Sequence, residues 1–233
     1  MWDATLQYGG EARDGEERND RTAAATLKEI SALRRWFVAL GLCAAGVALC
    51  VAYVDRPVAD LVYEHLSRKH AYRVLTRLPD PLEWVVMLAV VFLLVAGCRA
   101  IAGRRLGSWM ETPLLASWAL VWASTATTAL KYAFGRSWPA AYVYLHVYGF
   151  HPFQGQAGGN DSFPSGITAG AASILVTLWI LVPRLRVVWA LGLVIVAVGL
   201  VATNSHFVSD VLGGGFLGVT TGRMSVALWR RDA

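Results

Sequence analysis

Three short polar clusters hold residue types that can bind a phosphate group and attack its phosphorus. The first runs from Lys131 to Pro139 (KYAFGRSWP) and carries two cations, Lys131 and Arg136. Arginine offers a planar fork that matches two phosphate oxygens at once, and lysine offers a point charge. Either cation at the end of an apolar helix can also simply snorkel to lipid headgroups. The second cluster is Ser162 to Gly166 (SFPSG). Pro164, Ser165 and Gly166 read as the opening of a helix, where unpaired N–H groups and the helix dipole favour an anion. Gly166 would let a ligand approach the backbone, although Ser165 alone is also an ordinary N-cap. The third cluster is Asn204 to Asp210 (NSHFVSD). His206 and Asp210 are four apart, so on a helix they share a face. A carboxylate at that spacing can hold an imidazole in one tautomer, as a nucleophilic or general-base histidine requires.

The elements that must position these clusters are apolar and long. Of 233 residues, 56% are hydrophobic and 16% charged, far below the charged quarter of a soluble domain. Six stretches are read as membrane-spanning helices of about 20 residues: 36–54, 84–101, 114–130, 167–182, 187–202 and 211–228. The third is accepted because Ala, Ser and Thr suit helix packing in membranes, and Gly213, Gly214 and Gly215 would let another backbone approach the last span. Ten tryptophans suit two membrane interfaces. The expected fold class is therefore all-α, a polytopic membrane bundle of about six helices. Residues 1–32 read as a polar cytoplasmic tail, flexible to about Asp20 with a short interfacial helix near Thr26–Arg35. Residues 33–231 read as the six-span domain.

Charge sets the direction. Lys28, Arg34, Arg35, Arg99, Arg104, Arg105, Arg184, Arg186, Arg223, Arg230 and Arg231 fall on one side, which the positive-inside rule makes cytoplasmic. Arg56, Arg68, Lys69, Arg73, Arg77, Lys131 and Arg136 fall on the other. Both termini are then inside, and all three clusters face outside. Residues 55–83 are amphipathic and read as a helix on the outer surface. The net charge of +5 is spread between apolar stretches rather than gathered in a patch, which argues against a nucleic-acid partner. Cys43, Cys50 and Cys98 match no metal or redox spacing and read as small packing residues.

Taken together, the clusters resemble the type 2 phosphatidic acid phosphatase (PAP2) superfamily over about residues 84–228. That family carries K-x6-R-P, P-S-G-H and S-R-x5-H-x3-D in this order. Lys131 and Pro139 fit the first motif, with Trp138 in its arginine position. Pro164, Ser165 and Gly166 fit the second, with Ile167 in place of its histidine. His206 and Asp210 fit the third, with Leu200 in its arginine position. A bacterial branch carrying F-G-R-x-W-P is similar to Phe134–Pro139, so Arg136 is expected to stand in for an arginine. Asn204 matches the same branch's N-x-H-x3-D.

The resemblance implies a PAP2-like helical bundle and a metal-independent phosphohydrolase without a cofactor. Its substrate would be a lipid phosphate or lipid pyrophosphate at the outer face of the inner membrane. His206 would attack phosphorus and form a phosphohistidine, with Asp210 as its partner. Lys131, Arg136, Ser165 and Gly166 would hold the phosphate. Isoleucine cannot transfer a proton, so the leaving-group acid must come from elsewhere. His151, delivered by the glycine-rich loop Gly149–Gly159, is the preferred substitute over His146 and Asp161. Two alternatives stay open. A pyrophosphate leaving group needs little protonation, or the protein is a degenerate relative that binds headgroups or a partner without turnover.

Overall fold

The computed structural model describes residues 4–66, 80–104, 107–155 and 159–232. The chain divides between Leu42 and Cys43 into two compact units. The first consists of the greater part of α1 (Ala4–Leu49). Where a flexible tail was expected, the helix already runs from Ala4. The Ala, Glu and Arg content of the segment gives it high helix propensity. In the second unit a π-helical turn, Cys50–Val54, carries the end of α1 directly into α2 (Asp55–Leu66). The remaining helices are α3 (Asp80–Ile101), α4 (Glu111–Phe134), the short α5 (Pro139–Leu145), α6 (Gly166–Leu181), α7 (Arg186–Ala202) and α8 (Val208–Asp232).

Among the described residues, four helical stretches are long and apolar enough to cross a membrane: 29–66, 84–101, 183–202 and 208–230. The chain is an all-helical, multi-pass membrane protein. The other two expected spans are α4 and α6, and both are helices. Of the two, α6 is apolar but only 16 residues long. Helices α4, α6 and α8 pack on one another, so each turns one face to protein rather than to lipid. Their inner faces carry Ala119, Ala123, Thr127, Ala169, Ala172, Ser173 and Thr177, all buried. Small and hydroxyl residues of this kind let membrane helices approach closely. On α7, by contrast, Val187, Leu191, Ile195 and Val198 are exposed, as lipid-facing side chains are.

The α6–α8 contact is the closest. A Cβ placed on Gly214 would lie 2.3 Å from the Ser165 carbonyl oxygen, on Gly218 2.2 Å from that of Ala169, and on Gly222 2.7 Å from that of Ser173. The glycines recur every four residues and form one face. Of the three expected glycines, Gly214 belongs to this face. Gly213 abuts the Phe163 ring instead, and Gly215 is in ordinary contact with Thr168. Gly218→Val should therefore force α8 away from α6. The expected loss is about 1–3 kcal/mol or more, read as a lowered melting temperature of detergent-solubilised protein. A wild-type melting temperature would show that the contact does not limit stability.

The expected surface helix over 55–83 is met in part by α2; Arg68, Lys69, Arg73, Arg77 and Arg105 lie outside the described residues. The start of α2 has a different role from a surface helix, because Asp55 is buried.

Candidate active site

The ends of α4, α6 and α8 bring the three clusters together. Gly135 stops α4 in a left-handed turn at φ 56°, with its N–H on the Lys131 carbonyl. A Cβ there would collide with the main chain of His151, 1.8 Å away, so the chain can pass only because the residue is glycine. Pro139 opens α5 at its first turn, where its missing N–H costs nothing. Ser165 caps α6, its Oγ accepting from Thr168 N at 3.3 Å and from Thr168 Oγ1 at 3.0 Å. Its own N–H donates to the Asp210 carbonyl at 3.0 Å, which ties the second cluster to the third. The Phe163–Pro164 bond ahead of the cap is cis.

His206 sits just before α8 and is 2% exposed. Its Nδ1 is 3.5 Å from Asp210 Oδ2 and 3.5 Å from Ser162 Oγ. Ser162 Oγ donates to Asp210 Oδ2 at 2.6 Å, and Phe207 N donates to the same oxygen at 2.9 Å. With the serine proton on the carboxylate, both neighbours of Nδ1 present acceptors. Nδ1 is thereby assigned the ring proton, which leaves the Nε2 lone pair free to attack. The indole of Trp138 lies against the imidazole at 4.8 Å, tilted 35°.

Lys131 reaches the same place from α4. Its Nζ is 5.7 Å from the Trp138 ring centre and 3.7 Å from Asp161 Oδ2. A Cβ on Gly166 would lie 4.0 Å from Lys131 Cε, so the lysine borders the space in front of the first turn of α6. Asp161 also accepts from Trp138 Nε1 at 2.5 Å. Lys131, Ser165, Gly166, His206 and Asp210 thus gather around one position. An imidazole, a cation and the N–H groups of a helix start can together hold an anion and attack it.

Arg136 is placed differently from the expected phosphate clamp. It is 0% exposed, and its guanidinium is committed to protein partners. One nitrogen donates to Asp210 Oδ1 at 2.6 Å and to Ser209 Oγ. The other donates to Asp55 Oδ2 at 2.6 Å and to the Tyr148 hydroxyl at 3.2 Å. The rings of Phe207, Phe150 and Tyr148 cover it at 4.5, 5.1 and 5.6 Å. Burial works against its charge, but Asp210 and then Asp55 outweigh that and hold its pKa above the ordinary arginine value. Asp55 completes the group by accepting from Ser209 N at 3.0 Å and Ser209 Oγ at 2.6 Å. Asp55, Ser209 and Tyr148 were not among the expected site residues. The available signal was an acid directly after the apolar run that ends at Val54, since ionisable groups at membrane depth are functional by default.

The loop expected to carry His151 into the site is fastened to α4. His151 N donates to Gly135 O at 2.7 Å, Ser137 N donates to Gly149 O at 3.1 Å, and Arg136 and Phe150 form an antiparallel bridge. The Phe150 ring packs edge-on against Phe134 and Phe163. The imidazole of His151 makes no hydrogen bond or ion pair among the described residues, whereas Asp161 touches both Lys131 and Trp138. His146 caps the end of α5 in the left-handed region and is exposed. Asn204, also left-handed, donates Nδ2–H to Ala59 O at 2.9 Å. Leu200 is buried.

The PAP2 superfamily model matches residues 111–232. The fold is similar to a crystal structure of a transmembrane PAP2-type phosphatidylglycerolphosphate phosphatase from Bacillus subtilis, with a TM-score of 0.51 and 19% sequence identity. That likeness covers 85% of this chain and 96% of the other, and it is a likeness of fold. No curated protein sequence matches the chain significantly. The matched residues include α4, α6, α8 and all three polar clusters, and on that match the chain belongs to the PAP2 superfamily.

Proposed function

We propose that this protein is a membrane-embedded phosphohydrolase that removes phosphate from a lipid phosphate or lipid pyrophosphate. The observation that carries the reading is the buried His206 imidazole, with Asp210 and Ser162 on Nδ1, beside Lys131 and the opening turn of α6. His206 Nε2 attacks phosphorus and Asp210 stabilises the imidazolium character that develops. Lys131, the N–H groups of Gly166 and Ile167, and the cap at Ser165 hold the phosphate oxygens. Arg136 acts as a positioning residue by fixing Asp210 rather than by touching substrate. The arginine bias supports both termini in the cytoplasm and the site at the outer face of the inner membrane. There the lipid tail stays in the bilayer while the headgroup enters. Residues 33–231 form the membrane domain, with the preceding segment on the cytoplasmic side.

Purified protein assayed against a panel of lipid phosphates and pyrophosphates tests the reading through phosphate release. Lys131→Met should lower kcat/KM by about 10²–10³, since it removes the cation that meets charge developing on the phosphoryl group. Its melting temperature should stay near that of wild type, because Lys131 is partly exposed. Undiminished turnover in Lys131→Met would remove the lysine from the site.

A second reading, headgroup binding without turnover, is favoured by one observation. The two positions where the family motifs carry arginine hold Trp138 and Leu200, and Arg136 is engaged by Asp55 and Asp210. It requires that purified wild-type protein release no phosphate above background from any member of the panel, while binding them saturably.

A further inference from the structure

An alkyl phosphate ester leaves as an alkoxide, a strong base, and needs a proton as the P–O bond breaks. Ile167 follows Gly166 at the mouth of the site and has none to give. The geometry points to Asp161 as the residue that protonates the leaving oxygen, an assignment that rests on the phosphatase reading above.

Asp161 lies four residues before the α6 cap and beside the reacting position. Its Oδ2 is 3.7 Å from Lys131 Nζ, and its Oδ1 accepts from Trp138 Nε1 at 2.5 Å. The indole that grips Oδ1 is the one lying against the nucleophile His206. Nucleophile and carboxyl are thus held on one rigid aromatic plate. They differ in access to solvent. The His206 side chain is 2% exposed, whereas that of Asp161 is 33% exposed. Attack from the buried side would send the leaving group toward the open side, where the carboxyl stands. In-line displacement needs these two groups on opposite faces of phosphorus.

Lys131 is the charged side chain in contact with Asp161 among the described residues. When a phosphate enters, Lys131 turns to its oxygens and Asp161 is left facing an anion. The carboxyl acts in its protonated form, with the proton on Oδ2, while the indole keeps Oδ1 in place. His206 Nε2 then forms a bond to phosphorus and the P–O bond to the alcohol breaks. The proton on Asp161 Oδ2 passes to the leaving oxygen. In the second half, water attacks the phosphohistidine and gives its proton to the Asp161 carboxylate. The P–N bond breaks, releasing phosphate and the free imidazole.

The test compares wild type, Asp161→Asn and His206→Ala on dodecyl phosphate and on 4-nitrophenyl phosphate, whose leaving group needs no acid. In a single turnover, Asp161→Asn should slow release of the alcohol from dodecyl phosphate by about 10²–10⁴ and of 4-nitrophenol from its ester by less than about tenfold, since this step precedes the phosphohistidine hydrolysis common to both esters. Adding Ile167→His to Asp161→Asn should restore alkyl-ester turnover by about tenfold or more. Equal losses on both esters would overturn the assignment and leave Asp161 as a clamp on Lys131, as would no loss on either. Failure of the underlying reading looks different: 4-nitrophenyl phosphate turnover that survives in His206→Ala, or a wild type inert toward both esters.

Discussion

His206→Ala is expected to lower phosphate release by a factor of roughly 10⁴ or more, because removing a covalent nucleophile leaves only binding and electrostatic stabilisation. The substituted protein should still fold. His206 does not take part in the Arg136 ion pairs, and Asp210 keeps Ser162, Phe207 N and Arg136 as partners. KM should change little, since Lys131 and the start of α6 supply most of the anion's contacts. Acid-labile, base-stable radiolabel should accumulate on wild-type protein quenched during turnover and be absent from His206→Ala. Equal labelling of the two proteins would sink the phosphohistidine assignment.

Arg136→Met is expected to cause the largest loss of stability. It strips the counter-charge from Asp55 and Asp210, which are 1% and 0% exposed. Breaking a buried ion pair by removing one partner costs about 3–5 kcal/mol, because the remaining charge stays desolvated. Here two carboxylates are stranded at once. Arg136→Lys should rescue little, since a single ammonium cannot reproduce the two-nitrogen fork between Asp55 and Asp210. Replacing Asp55 by Leu alongside Arg136→Met removes one stranded charge and should recover part of the loss. Thermal unfolding in detergent measures all three variants. If Arg136→Met melts with wild type, the buried group does not hold α2, α4 and α8 together.

The two experiments separate chemistry from scaffolding, a division only partly legible in the sequence. Apolar runs gave the helices, and the polar clusters at their ends, read with the family resemblance, gave Lys131, Ser165, Gly166, His206 and Asp210 as one constellation. Each of these carries a local signature: a cation at a helix end, a cap, or an acid four residues from a histidine. Arg136 carries no such signature for its partner. Its partner at the start of α2 is Asp55, 81 residues away, and pairing at that separation is a property of the folded bundle. Asp55 itself looked like part of a surface helix because charges follow it along α2. What holds it inside is its pairing with Arg136 and Ser209, which brings the start of α2 against the end of α4 and the start of α8. The glycine face on α8 was half visible. Three adjacent glycines drew attention to 213–215, whereas the contact with α6 uses the spacing 214, 218, 222. Trp138 read as a departure from a motif. Only three-dimensional placement reveals that it joins Lys131, Asp161 and His206.

The glycine face also constrains how a hydrophobic chain could reach the headgroup position. Where even a methyl group would strike carbonyl oxygens of the neighbouring helix, no hydrocarbon tail can wedge, so the seam between α6 and α8 is closed from Gly214 to Gly222. A lipid substrate of the proposed reaction would therefore have to lay its tail elsewhere, and that path, more than the reacting atoms, would decide which lipids are admitted.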